Sequence, residues 1–253
     1  IIDSKPAYLD GADGSMSLAL LPYGRTTLLA HLSERLLAAT RRKVLVLRTF
    51  DADRRYDEAI AAVSGASGAS VALEEFIARV ATFEPSDWLL LVDPRCFPGE
   101  GVDPSPLLEG LSETPRIARH LVALDWNSGG TNERVEFDAH GHVRRVQRYY
   151  DGVTWTVTTG VSCSLVPVSS LAMSKTLPFE SLVAFRRELA SQAAPSRDVP
   201  MAGPVFDLTT ERGLLRLNER ILLQQGPAAA TRSQQHARPA NLEGPRIDPS
   251  ARL

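Results

Sequence analysis

Lys43-Val44-Leu45-Val46-Leu47-Arg48 is an unbroken apolar run between two charges. A strand with Val and Leu at consecutive positions turns apolar side chains to both faces, so it belongs inside a parallel sheet covered on each side. Trp88-Leu89-Leu90-Leu91-Val92 repeats the signature. Ahead of the first run, Leu28, Leu29, Leu32, Leu36 and Leu37 follow helical spacing through Thr27–Thr40, with Thr26 or Thr27 placed to cap the helix. Between the two runs, Val71–Ala81 repeats the pattern with Val71, Leu73, Phe76, Ile77 and Val80. Strand–helix–strand–helix order implies right-handed crossovers. The predicted class is therefore α/β, a mostly parallel central sheet with helices on both faces. Lys5–Leu9 is expected as the first strand, beside Lys43–Arg48 and Trp88–Val92 in one sheet.

Further along, Leu121–Leu124, Arg134–Phe137, His142–Gln147 and Thr154–Leu165 are β-rich, and Asp138-Ala139-His140-Gly141 is a hairpin turn. Helices are expected around Phe179–Ser191 and Thr209–Gln225. Gly226–Gly244 has almost no large apolar residue and reads as a linker. The organisation expected is a domain over 1–225, a linker over 226–246, and the start of another unit over 247–253.

Of the 253 residues, 43% are hydrophobic and 23% charged, and the net charge is −2. Those values suit a soluble domain with a core, and they supply no broad positive field to recruit nucleic acid or an anionic membrane. No apolar run approaches the roughly 20 residues of a membrane helix. The two cysteines, Cys96 and Cys163, are expected as free thiols in a cytoplasmic protein. The chain is read as part of a longer bacterial protein.

Open parallel sheets bind ligands beyond the carboxyl ends of their strands. The loop after the first expected strand, Leu9-Asp10-Gly11-Ala12-Asp13-Gly14-Ser15-Met16, has two glycines spaced so that backbone N–H groups can face a phosphate. Asp93 and Asp207 follow apolar runs and are available to a hard cation such as Mg²⁺. Each also has a plainer reading: Asp93 opens a turn with Pro94, and Asp207 caps the last helix.

The order of these segments resembles the sugar-nucleotide pyrophosphorylases, which join a nucleoside triphosphate to a sugar 1-phosphate. Leu20-Leu21-Pro22-Tyr23-Gly24-Arg25-Thr26-Thr27-Leu28-Leu29 is similar to the family's leucine-leucine-proline segment before its first helix. Gly68-Ala69-Ser70-Val71-Ala72-Leu73 resembles the helix entry beside the nucleobase, and Leu89-Leu90-Leu91-Val92-Asp93 the strand that ends in a magnesium-binding Asp. Val135–Val143 resembles the family's hairpin, Thr158-Thr159-Gly160-Val161 its sugar-side strand, and Val205-Phe206-Asp207-Leu208-Thr209-Thr210 the source of the second metal carboxylate. Ile247–Leu253 looks like the first turn of a hexapeptide β-helix.

The resemblance implies a nucleotide site at Gly11, Gly14, Ser15, Gly68 and Ser70, a sugar contact at Gly160, and Mg²⁺ at Asp93 and Asp207. Its ligands would be a nucleoside triphosphate and a sugar phosphate or sugar nucleotide, with homo-oligomers a further expectation. The pattern departs from the family where charge matters. Met16 stands in place of the phosphate-binding Arg, and Leu18 or Ala19 in place of a Lys, which leaves Arg25 as the expected catalytic cation. Three readings follow: a weakened nucleotidyltransferase, a non-catalytic nucleotide-binding regulatory module, or a glycosyltransferase of related fold using Asp51-Ala52-Asp53. That last pair has an alternative reading as the N-terminus of a helix over Tyr56–Val63.

Overall fold

A computed structural model describes residues 1–9, 16–112, 115–124, 131–150, 159–171, 178–201 and 203–236. The chain opens with strand β1 (Ile2–Asp3), a tight hairpin of β2 (Pro22–Tyr23) and β3 (Thr26–Thr27), and helix α1 (Leu28–Thr40). Thr27 caps α1 as expected, its Oγ1 accepting from the Ala30 N–H at 3.2 Å. Next come β4 (Leu47–Arg48), α2 (Arg54–Ala61), α3 (Leu73–Val80), β5 (Trp88–Val92), β6 (Cys96–Pro98) and α4 (Ser105–Leu108). Asp53 caps α2 by accepting from the Tyr56 N–H at 2.9 Å, the plainer of its two readings.

Strand β7 (Ala118–Leu124) precedes a hairpin of β8 (Thr131–Phe137) and β9 (Val143–Tyr150). The turn forms where expected: Asp138 Oδ1 accepts from the His140 and His142 N–H groups, and Gly141 adopts φ 77°. Val135, Val143 and Val146 pack the hairpin against Ala190. Strand β10 (Thr159–Pro167), helix α5 (Leu182–Ser191), β11 (Ser196–Pro200), β12 (Val205–Asp207) and α6 (Glu211–His236) complete the chain. Helix α6 overruns its expected end at Gln225 and crosses the first part of the segment read as a linker. Residues 237–253 lie outside the described residues.

The central sheet has the order β11-β7-β10-β5. Strands β5 and β7 are antiparallel to β10, and β11 is parallel to β7, so three of the four run one way. Helices cover both faces. One apolar cluster joins Leu121 and Cys163 to Leu32 of α1, Ile60 of α2 and Leu217 of α6. The other joins Val122 and Val161 to Phe76 of α3 and Phe185 of α5. The class is α/β.

The strand placement differs from expectation: two of the three pairings in the central sheet are antiparallel, because β10 runs against both its neighbours, and the first expected strands lie elsewhere. Lys5–Leu9 is no strand: Ala7–Leu9 forms a 3-10 turn in which the Leu9 N–H donates to Pro6 O at 2.9 Å. Pro6 has no N–H to give to a ladder. The first strand is instead Ile2–Asp3, parallel to β4, and this pair is a separate hydrogen-bonded sheet from that of β5. Ile1, Val46 and Val92 still share one core, so the two sheets pack into a common interior.

Candidate functional site

Because β5, β7 and β11 run together, their carboxyl ends share one edge with the start of β10. The Asp93 N–H donates to Ser162 O at 2.8 Å, and the Met201 N–H to Val122 O at 2.6 Å. A bulge between Val161 and Cys163 falls at Ser162, whose hydroxyl also reaches Met201 Sδ, just past the end of β11, at 3.1 Å. Gly160, the expected sugar contact, lies on this edge opposite Ala123, but it is buried within the sheet.

Asp93 sits at the end of β5 with its side chain 4% exposed. Its Oδ1 accepts from the Arg95 N–H at 3.1 Å and from Arg95 Nε at 2.8 Å. Its Oδ2 accepts from Arg95 Nη2 at 2.6 Å and from the Leu182 N–H at 3.2 Å. A carboxylate offers about four acceptor positions, and all are filled. Leu182 is the first residue of α5, so the negative charge also lies at the positive end of that helix. Arg95 is fixed in turn: its Nη2 donates to Glu180 O at 2.7 Å, and Asp93 holds its guanidinium above its usual pKa against the opposing effect of burial.

Asp207 is held by a different route. Strand β12 pairs antiparallel with β6, which sets Asp207 opposite Cys96, and the Leu208 N–H donates to Arg95 O at 2.9 Å. Asp207 Oδ1 accepts from the Thr209 N–H at 3.0 Å and the Thr209 hydroxyl at 2.6 Å. Its Oδ2 is buried and meets no hydrogen-bond partner among the described residues. The helix cap belongs to Thr210, which accepts from the Gly213 N–H at 3.1 Å. Gly213 is required there: a Cβ would stand 1.7 Å from Asp207 O. Tyr8 ties the base of the first loop to the same corner, its hydroxyl donating to Leu208 O at 2.9 Å. Burial first, then Asp207 and Glu211, push that phenol up to about 12.

The other expected site residues scatter. Gly11, Gly14 and Ser15 lie outside the described residues. Arg25 is exposed in the two-residue turn between β2 and β3, where Gly24 takes φ 61°. Gly68 is exposed with φ 131°, and Ser70 is buried in an internal network, its hydroxyl donating to Asp57 and accepting from Arg48 Nη1 at 3.2 Å. Arg48 and Asp57 are themselves paired at 3.2 Å. Leu18 and Ala19 are wholly buried, so neither faces a ligand, and Met16 packs against the same core. Both cysteines are buried and outside any disulfide, and burial pushes the Cys163 thiol up to about 12.

A magnesium ion requires near-octahedral oxygen coordination, commonly with one or two carboxylates and the substrate phosphates. With Asp93 saturated, Asp207 Oδ2 is the one oxygen of this carboxylate pair left free, and among the described residues no group of three or more His, Cys, Asp or Glu side chains could hold a metal. The donor set in this arrangement does not fit a two-carboxylate metal clamp.

Sequence reasoning missed Arg95, whose role depends on where the Asp93–Pro94 turn aims it. It also missed a cavity of about 300 Å³ on the α1 side of the edge, bordered by Arg35, Pro98, Glu100, Asp103, Leu121 and Met201. Its charge is mixed: Arg35 lines it beside Glu100 and Asp103, and Glu100 is paired with Arg220 at 3.6 Å.

No protein-family model matches the chain, and no curated protein does. Solved structures do. A Bacillus anthracis protein assigned as a glucose-1-phosphate thymidylyltransferase, crystallised with sucrose, is 12% identical with a TM-score of 0.62, over 81% of this chain and 86% of that one. The UTP-bound UGPase of Acinetobacter baumannii is 10% identical with a TM-score of 0.58, over 88% of this chain and 91% of its own. The CTP:phosphocholine cytidylyltransferase of Streptococcus pneumoniae is 9% identical with a TM-score of 0.53, over 81% and 89%. The chain has the fold of the nucleotidyltransferases. Among the described residues no helix is long and apolar enough to cross a membrane.

Proposed function

We propose that this chain is an NDP-sugar pyrophosphorylase-like domain of a bacterial polysaccharide-biosynthesis protein. It binds a nucleoside triphosphate or a sugar nucleotide at the carboxyl edge of its central sheet, and its nucleotidyl transfer is severely weakened. The single observation that carries the second half is the saturation of Asp93 by Arg95 and the Leu182 N–H. The fold, the shared edge and the ordered resemblance of its segments support the first half.

Transfer between a sugar phosphate and the α-phosphorus of a triphosphate depends on positioning and on neutralising charge at the leaving pyrophosphate. Met16 and the buried Leu18 supply no such charge. The absence of two charged donors costs on the order of 4–8 kcal/mol in the transition state, or about three to six decades in rate. The test has two parts. Calorimetric titration with the common nucleoside triphosphates and with UDP- and dTDP-sugars should find a binder. Pyrophosphate release with matched sugar 1-phosphates should stay near background. Fast turnover would restore the reading as an active transferase, and no binding by any member of the panel would remove the nucleotide from the account.

A further inference from the structure

We infer that Arg95 is a resident cation: its guanidinium holds Asp93 in the place of a divalent ion, so the edge receives the phosphates of its ligand without one. The inference rests on the proposed function, because it takes the ligand to carry phosphate.

Geometry supports it in three ways. Two of the four donors on Asp93 come from the Arg95 guanidinium, one to each carboxylate oxygen, which is the fork-to-fork arrangement that makes such pairs short and strong. The remaining two are backbone N–H groups of Arg95 and Leu182, fixed by the turn and by the start of α5. A metal ion would therefore have to displace the guanidinium and leave a cation without its partner in a largely buried place, an unfavourable exchange.

The arginine is also tethered from the far side by Glu180 O, so it does not swing away freely. Its side chain is nevertheless 26% exposed, and its bonds to Asp93 and Glu180 are made by Nε and Nη2. Arginine has five donors in a rigid plane, and those not spent on Asp93 and Glu180 are free to meet a phosphate oxygen at this edge. One residue thus satisfies a buried carboxylate and presents positive charge outward.

The experiment uses two probes on the whole chain. The first is the nucleotide panel, titrated calorimetrically in Mg²⁺ and again in EDTA. The wild-type dissociation constant should be unchanged between the two. In Arg95→Ala the same ligand should bind about tenfold more weakly in EDTA, the size of one charge-assisted contact, and Mg²⁺ should recover part of the loss. The second probe is Mn²⁺ alone, read by thermal unfolding. It should leave the wild type unmoved, raise the melting temperature of Arg95→Ala, and lose that effect in Arg95→Ala/Asp93→Asn.

Wild-type binding that collapses in EDTA overturns the inference, as does wild-type stabilisation by Mn²⁺ that Asp93→Asn removes. A folded Arg95→Ala that ignores Mn²⁺ also overturns it. If that variant does not fold, the two wild-type measurements decide. If no nucleotide binds at all, the functional reading fails and the Mn²⁺ comparison alone judges whether Arg95 stands in for a cation.

Discussion

Two arginine–aspartate pairs meet helix α5: Arg186–Asp198 ties its middle to β11, and Asp93, paired with Arg95, accepts from the Leu182 N–H at its start. In the first pair Arg186 reaches from α5 to Asp198 on β11, and the two side chains are 0% and 8% exposed. Asp198 lies opposite His120 on β7, which lies opposite Ser164 on β10, and His120 Nδ1 meets the Ser164 hydroxyl at 2.8 Å. This polar row is sealed under the helix. In the second pair the carboxylate is just as buried, but a quarter of the arginine faces out at the carboxyl edge of the sheet. A charge that is wholly enclosed serves packing and register, whereas one with an exposed flank at a strand end can also meet a ligand. The same pairing of arginine with aspartate has two different roles because of its depth.

Breaking the enclosed pair should have the largest effect. Arg186→Met leaves Asp198 buried without its cation and should cost about 3–5 kcal/mol in denaturant unfolding. Adding Asp198→Leu should recover much of that loss, since an apolar pair of similar size satisfies the interior. If the single variant loses under about 1 kcal/mol, the view of this pair as a sealed anchor is wrong. Arg95→Ala should cost less, about 2 kcal/mol, because water can reach the vacated side and Leu182 still donates to Asp93. An equal loss at both sites would erase the distinction.

Gly213→Ala tests the route to the second carboxylate. Its Cβ would stand 1.7 Å from Asp207 O, so β12 or α6 must shift, at about 1–3 kcal/mol. A lower melting temperature with an altered Asp207 environment is the expected pair of readouts.

Proton uptake separates the enclosed row from the open one more finely. Burial first, then Arg186, hold His120 well below the usual histidine pKa. Below about pH 6.5 the unfolded chain therefore takes up a proton that the folded chain refuses, and stability falls as pH drops, by up to about 1.4 kcal/mol per unit. Burial raises the pKa of Asp198 and of Asp3, so in the more acidic range those carboxylates act in the opposite sense. His120→Gln should flatten the loss between about pH 6.5 and 5 relative to wild type. The smallest effect is expected at Arg25, exposed in its turn: Arg25→Ala should change stability by no more than about 0.5 kcal/mol.

What was legible in the sequence was what local chemistry decides. The leucine spacing and Thr27 specify α1, Asp53 marks the start of α2, and Asp138 with Gly141 sets the hairpin. Each depends on contacts a few residues apart. The order of strands and helices was enough for the α/β class. Strand pairing was harder, because β1 and β4 are two residues each and owe their existence to partners far along the chain. Lys5–Leu9 misled because Tyr8 and Leu9 look strand-like while Pro6 denies the ladder its donor. At the candidate site, Asp93 and Asp207 stood out from their strand-end positions. Arg95 and the capture of Ser70 by Arg48 and Asp57 did not, since they depend on which way a side chain turns after the chain has folded.

The difference between the two pairs can be observed directly through their arginine Nε–H signals in a nitrogen-15 NMR spectrum, assigned with Arg95→Lys and Arg186→Lys. The protein would be titrated in EDTA with whichever nucleotide or sugar nucleotide binds. The account predicts that the Arg95 signal moves with saturation at the calorimetric affinity while the Arg186 signal stays in place. A bound ligand that moves Arg186, or that leaves Arg95 unchanged, would contradict it.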